Sequence, residues 1–471
     1  MLGLALTRWT PALIVHSLSI DSSAIYLDTR PDRAVLLFAL VASVVTALLF
    51  GLAPAMQVTR VDLESTLREG TRDSGNTRMQ RTMRSGLIVA QIAISFTLLM
   101  CAALSIQTLR HLENRKLGYD IDNVLLVRID PSQGNYGPVN WNDRYRDTLA
   151  RIRDVSEVRN ASLARMTPLD GDRWNREISP EGYVPRSGED MRVLFNVVGP
   201  EFFHALSVPL LAGRACQVSD SQSDRSVAVV SEQLVRRFFK TRNVVGQTLT
   251  TVKGPQPEVI EIVGVVEDMM ATSLRGTSLP TVFLCATRNP KQFQAVTFVI
   301  RTRGKGQGLE DTLRKIVRQT MPGIPLQVET LKSRADQSVQ RERLIAWLAS
   351  AFGAIAIILS AAGLYGLVAY SAARRTKEIA VRMALGARRS NVLWLITRQT
   401  LLLAGAGLVI GLPVALSLAH FARALLFGLG PNDIESLLLT SLIILCIAIL
   451  AGYFPAKRAV ALEPSAALRY E

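Results

Sequence analysis

Long uncharged apolar stretches alternate with polar segments along this chain. Each of the five stretches is 21 to 27 residues long and lacks Asp, Glu, Lys and Arg; they are residues 34–59, 85–109, 344–370, 399–422 and 436–456. An α-helix needs about 20 apolar residues to cross a bilayer. The pattern therefore predicts five membrane-spanning helices, the fourth extending over 393–422, and it excludes a soluble cytosolic enzyme.

The polar region between the second and third stretches, residues 111–343, mixes strand-like and helix-like patterns. Strands are predicted at 123–129, 192–198, 226–230, 259–266, 281–285, 295–301 and 325–330, and helices at 141–155, 231–239 and 309–320. Tyr145, Leu149 and Ile152 share one helix face, and Ser231 can cap the helix that follows it. The predicted fold class is an α-helical transmembrane bundle plus a mixed α+β domain outside the membrane.

The basic charge of the chain orients it in the membrane. The sequence has 54 Lys and Arg against 39 Asp and Glu, a net charge of +15. Sixteen Lys and Arg lie in 60–84, 371–398 and 457–471, and three lie in 19–33 and 421–435. The positive-inside rule places the first group in the cytoplasm, which leaves the large polar region outside. No nucleic-acid recognition motif accompanies the charge, so no nucleic-acid partner is expected.

The polar region contains few residues that could form a catalytic or metal-binding site. The four histidines have no second ligand at metal-site spacing, so we expect no metal and no cofactor. Ser231 has no histidine near it in the sequence that could activate it as a nucleophile. Glu267 and Asp268 are interpreted as solvated carboxylates at the end of a strand. Cys216 and Cys285 can pair, but nothing in the sequence requires it, and we interpret all four cysteines as unrelated thiols. No catalytic constellation is predicted.

The predicted spans contain glycine but no acidic residue. Gly363, Gly366, Gly405, Gly407 and Gly411 are expected to allow close helix packing. Carriers coupled to protons or ions usually need an acidic residue within the membrane. The composition of the spans therefore argues against such a carrier.

An internal repeat connects the two ends of the chain. A shift of 401 residues overlays GLAPAMQVTRVDLESTLRE, from Gly51, on GYFPAKRAVALEPSAALRY, from Gly452, without a gap. Pro54 and Pro455 are among the identical pairs. Such self-similarity indicates a duplicated unit. We therefore expect residues 1–79 to be the remnant of a first unit, ahead of a complete second one, so that the chain starts inside a once longer protein.

The segment RRTKEIAVRMALGARRSN, residues 374–391, separates the third and fourth predicted spans. Glu378 and Arg382 are four residues apart, in the favourable order for an ion pair on a helix surface. Gly386 is a natural residue to end that helix. The pattern predicts a short interfacial helix suited to receive force from a cytoplasmic partner. A positively charged membrane anchor without a partner is the alternative.

Together these features resemble the FtsX-like, MacB-type family of ABC transporter permeases. The resemblance covers about residues 80–471 and rests on five sequence segments: EIAVRMALGARR, GYFPAKRAVALEPSAALRYE, NVVGPEFFHALSVPLLAGR, VAVVSEQLVRRFF and VIEIVGVVEDM. It implies a first span at 80–110, a MacB-like periplasmic core domain at 111–343 and an FtsX-like permease domain at 344–471. The duplicated arrangement is similar to the tandem orphan permeases of acidobacterial type, with the first unit truncated.

The resemblance implies a permease of mechanotransmission type in the bacterial inner membrane. The chain has no GxxxxGK[ST] phosphate-binding motif, so ATP hydrolysis is expected from a separate cytoplasmic ABC ATPase rather than from this chain. In the family, that ATPase contacts an elbow, here Glu378, Arg382, Gly386, Ala387 and Arg388. The expected work is export of peptides, macrolide-like compounds or lipoproteins, or envelope remodelling. Two permease units are needed, so this chain pairs with itself or with another chain.

Three alternatives stay open. The first is a sensor or scaffold that does not transport and has a periplasmic ligand-binding domain. The second is a membrane enzyme, which no residue cluster supports. The third is a nonfunctional remnant. A co-purifying ABC ATPase favours the permease, and an adjacent gene for a kinase favours the sensor.

Overall fold

The computed structural model describes most of the chain from residue 74 to residue 460. The described residues are 74–131, 141–220, 225–241, 243–252, 257–276, 278–286, 295–304, 306, 308–374, 388–421 and 433–460, with seven helical positions between 34 and 44. Most of the first predicted span and the first copy of the repeat lie outside these residues. Those two interpretations stay predictions.

Long helices flank a mixed outer domain. In chain order the elements are α1 (Ser74–Glu113), β1 (Val124–Ile129), α2 (Trp141–Arg153), β2 (Val158–Ala164), β3 (Asn175–Pro180), β4 (Arg192–Val198), α3 (Phe202–Ala205), β5 (Leu210–Gly213), β6 (Val227–Ser231), α4 (Glu232–Phe238), β7 (Thr248–Thr251), β8 (Val259–Val266), β9 (Thr281–Cys285), β10 (Val296–Thr302), α5 (Leu309–Thr320), β11 (Leu326–Thr330), α6 (Leu331–Ser338), α7 (Gln340–Arg374), α8 (Arg389–Phe421) and α9 (Ile434–Val460).

Four helices of the described chain are long and apolar enough to cross a membrane. They are Arg84–Glu113, Gln340–Ala373, Leu393–Phe421 and Ile434–Arg458, within α1, α7, α8 and α9. Their side chains expose large apolar groups, as expected of helices whose outer surface faces lipid. These helices coincide with four of the five predicted spans.

Small residues allow α7 and α8 to approach α1 closely. Gly363, Gly407 and Gly411 lie against α1. At Gly407, an added Cβ would stand 2.6 Å from Ile92 Cγ2. Gly405, in contrast, has no atom of another described element within 4 Å of that position. Within the described residues, the expectation of close packing is confirmed for Gly363, Gly407 and Gly411, whereas Gly405 and Gly366 face open space and give it no support.

Two serines add a polar contact between α1 and α7. The hydroxyl oxygens of Ser95 and Ser360 lie 2.7 Å apart, and Ser95 also donates to the carbonyl of Ala356 at 3.1 Å. Hydroxyl hydrogen bonds of this kind hold spanning helices together where lipid supplies no hydrophobic driving force.

Gly407→Ala is expected to destabilise the helix bundle by about 1–2 kcal/mol, because the new methyl group overlaps the stiff β-branched side chain of Ile92. Gly405→Ala is the matched control, two residues away with open space around it, and we expect it to be neutral or up to about 1 kcal/mol stabilising. Unfolding of the purified full chain in mixed micelles measures both. Equal effects of the two substitutions would contradict the packing.

The outer domain is built on a single hydrogen-bonded sheet. Among the described residues the strand order is β11-β1-β10-β2-β4-β3-β7-β8-β6-β9, with β5 on β8. The first four strands are antiparallel, and α2 and α5 bury their apolar faces on them. Because β9 also pairs with β4 in parallel, the other six strands of that order close into a ring.

The sequence predicted much of this domain. The strands predicted at 192–198, 259–266 and 281–285 have those bounds in the structure, as does the helix at 309–320. Ser231 caps α4 as predicted: its hydroxyl oxygen accepts the N–H of Leu234 at 3.4 Å, and that of Thr281 at 3.0 Å. Strands β2, β3, β5 and β7 and helices α3 and α6 were not predicted.

The interpretation of four unrelated thiols is wrong. Cys216 and Cys285 form a disulfide, with their Cα atoms 5.4 Å apart, within the usual range for such bonds. Pairing of β5 with β8, of β8 with β6 and of β6 with β9 brings the two residues together. Cys101 and Cys446 are free.

Candidate functional site

The outer ends of α1 and α7 meet the outer domain in a small apolar cluster, which we call the junction cluster. It consists of Leu112 from α1, Ala335 from α6, Val339 just before α7, and Leu169 and Leu274 from two loops. All five side chains are buried. Since burial of apolar surface favours the contact, displacement of either helix end disturbs the two loops.

Charged side chains join the same helix ends directly. Arg343, near the start of α7, donates to Glu113 at the end of α1 over 2.8 Å, and its Nη2 lies 3.6 Å from an Asp336 oxygen. Arg115 donates to the carbonyl of Leu274 at 2.7 Å. Two helices far apart in sequence are thereby held to each other and to a loop of the domain.

Arg334 of α6 ties the element before α7 to the sheet and to a loop. Its side chain is 9% exposed and pairs with Glu329 of β11, with Nε–H donating to Oε1 at 3.1 Å. Its Nη1 donates to the hydroxyl of Thr167 at 2.5 Å. Charge-assisted bonds to a planar guanidinium fix geometry as well as energy, so α6 has a defined position on the domain.

Arg301 of β10 holds the segment that follows α1. Its Nε donates to the carbonyl of Ala205 at 2.7 Å, and its Nη1 to an Asp120 carboxylate oxygen at 2.9 Å. The N–H of Asp120 in turn donates to the carbonyl of Leu206 at 2.9 Å. The segment that follows α1 is therefore anchored to β10 and to the end of α3.

A carboxyl group in one junction loop has a shifted pKa. Burial raises the pKa of Asp170 above its usual range, although the N–H groups of Thr167 and Asp172, which donate to it at 2.8 and 3.0 Å, oppose that shift. Asp170 therefore favours the folded state at acidic pH, and this contribution falls as the pH rises through the raised pKa.

Gly118→Ala is expected to destabilise the protein by about 2 kcal/mol. Gly118 has φ of +78°, and an added Cβ would stand 2.0 Å from the backbone carbonyl oxygen of Asp268. Gly182→Ala is the matched control: Gly182 has φ of +73° with open space around it, so the substitution measures backbone strain without a steric clash. We expect it to lower the free energy of unfolding by about 1 kcal/mol. Thermal unfolding of the full chain compares them, and a loss at Gly118 no larger than that at Gly182 would refute the close approach.

Of the five predicted elbow residues, the structure describes Arg388. Arg388 is exposed, and its carbonyl accepts the N–H of Asn391 at 3.0 Å where α8 begins. Glu378, Arg382, Gly386 and Ala387 lie outside the described residues, so the coupling role of the elbow stays a prediction.

Arginines at the inner ends of the neighbouring helices contact tyrosines near the inner end of α7. The guanidinium of Arg84 lies 4.7 Å from the centroid of the Tyr370 ring, and Arg458 donates to the hydroxyl of Tyr365 at 3.3 Å. The first is a cation–π contact, which contributes most where water is partly excluded, and the second is a hydrogen bond. They link α1 and α9 to the end of α7 from which the elbow segment continues.

The polar residues considered for catalysis have structural roles. The Ser231 hydroxyl caps α4, and Asp268 accepts the N–H of Gln233 at 2.7 Å and pairs with Arg236 at 2.5 Å. Within the described residues, no group of three or more His, Cys, Asp and Glu side chains could hold a metal ion.

Sequence reasoning missed the junction cluster. Its apolar members are scattered over more than 200 residues, and no local pattern connects them. A usable signal was present in Glu113 and Arg343, opposite charges that flank two predicted spans on the same side of the membrane.

Two family models match different parts of the chain, and three of the five junction-cluster residues, Leu112, Leu169 and Leu274, lie within the first match. The MacB-like periplasmic core domain matches residues 85–316, and the FtsX-like permease C-terminal model matches residues 350–464. The chain belongs to the MacB/FtsX-type ABC permease family. It is a multi-pass protein of the inner membrane, with a helical membrane part and a mixed α/β domain on the periplasmic side, as predicted.

Curated relatives share this assignment at low identity. The macrolide export ATP-binding/permease protein MacB of Rhodospirillum rubrum is 24% identical over 326 residues, which are 66% of this chain and 48% of that protein. MacB of Neisseria meningitidis is 24% identical over 419 residues, 85% of this chain and 60% of that protein. The chain thus spans about half the length of these relatives. The periplasmic region of MacB from Actinobacillus actinomycetemcomitans aligns over 47% of this chain and 94% of that one, with 13% identity and a TM-score of 0.30.

Proposed function

We propose that this chain is the permease subunit of an ABC-type transporter of mechanotransmission type. ATP hydrolysis by a separate cytoplasmic ATPase would move the long helices, and these would change the shape of the periplasmic domain. The observation that carries the proposal is the attachment of the outer ends of α1 and α7 to each other through Arg343 and Glu113, and to the domain through the junction cluster.

This attachment suits transmission of force over a long distance. An α-helix rises 1.5 Å per residue, so α1 and α7, with 40 and 35 residues, exceed the thickness of a bilayer. A stiff helix passes a displacement at its inner end to its outer end. Contacts that are packed and bonded at the outer end then pass it to the loops and sheet, rather than losing it in a flexible linker.

The elbow at residues 374–391 is the proposed contact for the ATPase. Glu378 and Arg382 would present paired charges to it, next to Gly386, Ala387 and Arg388. We further propose that two permease units work together, supplied by a second copy or by another chain, and that residues 1–79 are the remnant of a first unit. Peptides, macrolide-like compounds and lipoproteins are the proposed substrates, the macrolide class in keeping with the names of the relatives.

Charge reversal in the elbow tests the proposal. We expect an ABC ATPase to co-purify with the tagged full chain from membranes after mild detergent extraction, and to be lost on Glu378→Lys or Arg382→Glu, because the contact relies on charge complementarity. Mass spectrometry of the eluate identifies the partner. Arg341→Glu is the matched control: this arginine is exposed at the outer end of α7, so its reversal should leave the ATPase bound.

Two results would count against the permease. A well-folded chain that captures no ATPase favours the sensor or scaffold, in which the periplasmic domain binds a ligand and signals through the same helices. An ATPase retained by both elbow variants but lost in Arg341→Glu would place the contact elsewhere.

A further inference from the structure

A cavity of about 210 Å³ lies among the outer ends of the spanning helices. Its wall is formed by one face of α1, one face of α7, the end of α8, and the loop before β9. Cys101 and Ala349 line the end deeper in the membrane, and Thr108, Glu342 and Arg275 line the outer end. From Cys101 to Thr108 the helix rises about 10 Å. The cavity is therefore elongated along the helices, apolar at depth and polar towards the periplasm.

The polar end holds hydrogen-bonding capacity that the described part of the chain leaves unused. Arg275 and Glu342 form an ion pair at 2.5 Å, and the Glu342 side chain is 8% exposed. Glu342 Oε2, Arg275 Nε and the hydroxyl of Thr108 are buried without a hydrogen-bond partner among the described residues. A buried polar atom without a partner is costly, so a ligand that supplies a donor and an acceptor here gains both bonds.

We propose that this cavity binds an uncharged amphiphile, a hydrocarbon chain with a hydroxyl or amide head, from the outer leaflet of the inner membrane. The chain fills the apolar depth beside Ala349 and Leu104. The head donates to Glu342 Oε2 and accepts from Arg275 Nε–H, which a single hydroxyl group can do.

The paired charges select against a charged head. An anionic head placed here faces the Glu342 carboxylate, and a cationic head faces the Arg275 guanidinium, while the partner that would attract it is already neutralised. A charged head group also loses its hydration when it enters a cavity whose wall is mostly apolar. A neutral head meets neither penalty, so charge discriminates the ligand class.

The site lies on the same helices that the proposed function uses, but binding does not depend on an ATPase. Glu342 adjoins Arg343, whose bond to Glu113 joins α7 to α1. An occupant therefore touches the point where the helices enter the periplasmic domain. Failure to bind would leave the permease proposal intact, and failure to capture an ATPase would leave this site intact.

Photo-crosslinking tests the site in the full chain reconstituted in phosphatidylcholine nanodiscs. The probe is a decanol that carries a diazirine on its chain. We expect saturable labelling of residues 101–108 and 342–349, mapped by mass spectrometry, and competition by 1-decanol. Decyl sulfonate and decyltrimethylammonium should require at least about tenfold more for equal competition. Competition by diacylglycerol built into the nanodisc identifies a membrane lipid as the source, and competition by decanol alone a free single-chain compound.

Ala349→Phe should abolish the saturable labelling, because the ring fills the depth of the cavity. Ala354→Phe is the matched control on the same helix, at an exposed position outside the cavity, and should leave labelling unchanged. The proposal is overturned by labelling spread evenly over the lipid-facing surface, by equal competition from the charged compounds, or by labelling that survives Ala349→Phe in a chain that elutes as the native protein does.

Discussion

Reduction of the bond between Cys216 and Cys285 is expected to lower the free energy of unfolding of the periplasmic domain by about 4 kcal/mol. The two cysteines are 69 residues apart. A cross-link that closes so long a loop removes many conformations from the unfolded chain, and the stabilisation grows with loop length. Both residues are buried in the apolar cluster that also holds Phe202 and Phe283, so the native fold already accommodates the bond.

Chemical unfolding of the full chain in micelles, with and without reductant, measures this difference. Cys216→Ser with Cys285→Ser should reproduce the reduced protein and make it insensitive to reductant. The matched control removes the two thiols of the spans, Cys101→Ala with Cys446→Ala, and should keep the whole difference. A wild-type chain whose unfolding does not respond to reductant would contradict the expectation.

The disulfide also bears on which side of the membrane the domain occupies. Disulfides persist in oxidising compartments such as the bacterial periplasm and are rare in the cytosol. The distribution of Lys and Arg placed residues 111–343 outside the cytoplasm without any knowledge of the bond. Two independent physical signals thus agree on the orientation.

Strong local patterns explain which elements could be predicted from the sequence. The strand VIEIVGVV and the helix LEDTLRKIVRQT have a clear apolar run and a clear helical period, and both have the predicted bounds. Strand β3, NREISP, and strand β7, TLTT, are short, polar and partly exposed, so nothing local distinguishes them from loops. They are strands because each has a partner on both sides within the ring: β3 pairs with β4 and β7, and β7 pairs with β3 and β8.

The candidate site also has one part that the sequence predicted and one part that it did not. The elbow was predicted from one continuous sequence segment that contains paired charges and a glycine. The junction instead depends on pairs such as Arg334 with Thr167, which are 167 residues apart. Helix α6, LKSRADQS, has no apolar period, and its start is fixed by the Thr330 hydroxyl, which accepts the N–H of Ser333 at 3.0 Å. Only tertiary structure shows that this polar segment connects a span to the sheet.

Arg334→Met is expected to lower the free energy of unfolding by about 3 kcal/mol, the low end of the range for breaking a buried ion pair. The substitution removes the partner of Glu329 and leaves the hydroxyl of Thr167, which is 3% exposed, without its charged donor. The cost stays at the low end because the Glu329 side chain is 28% exposed and regains some hydration.

Lys332→Met provides the matched control on the same helix. Lys332 is 64% exposed and lies 3.3 Å from an Asp122 oxygen that is also exposed, so we expect a loss of at most about 1 kcal/mol. Arg334→Lys should fall between the two, because an ammonium keeps the charge but cannot reproduce the guanidinium fork. Denaturation of the full chain, together with hydrogen exchange of α6 and the loop at 166–172, separates these cases.

The pattern of exchange is the decisive part of this measurement. If Arg334 holds α6 on the domain, its loss should speed amide exchange in α6 and in the 166–172 loop before it affects the central strands, because opening begins where the contact was removed. Arg334→Met that accelerates exchange uniformly, or no more than Lys332→Met does, would mean that α6 is held by the junction cluster alone. In that case force from α7 would enter the domain through apolar packing, and the arginine would be dispensable for coupling.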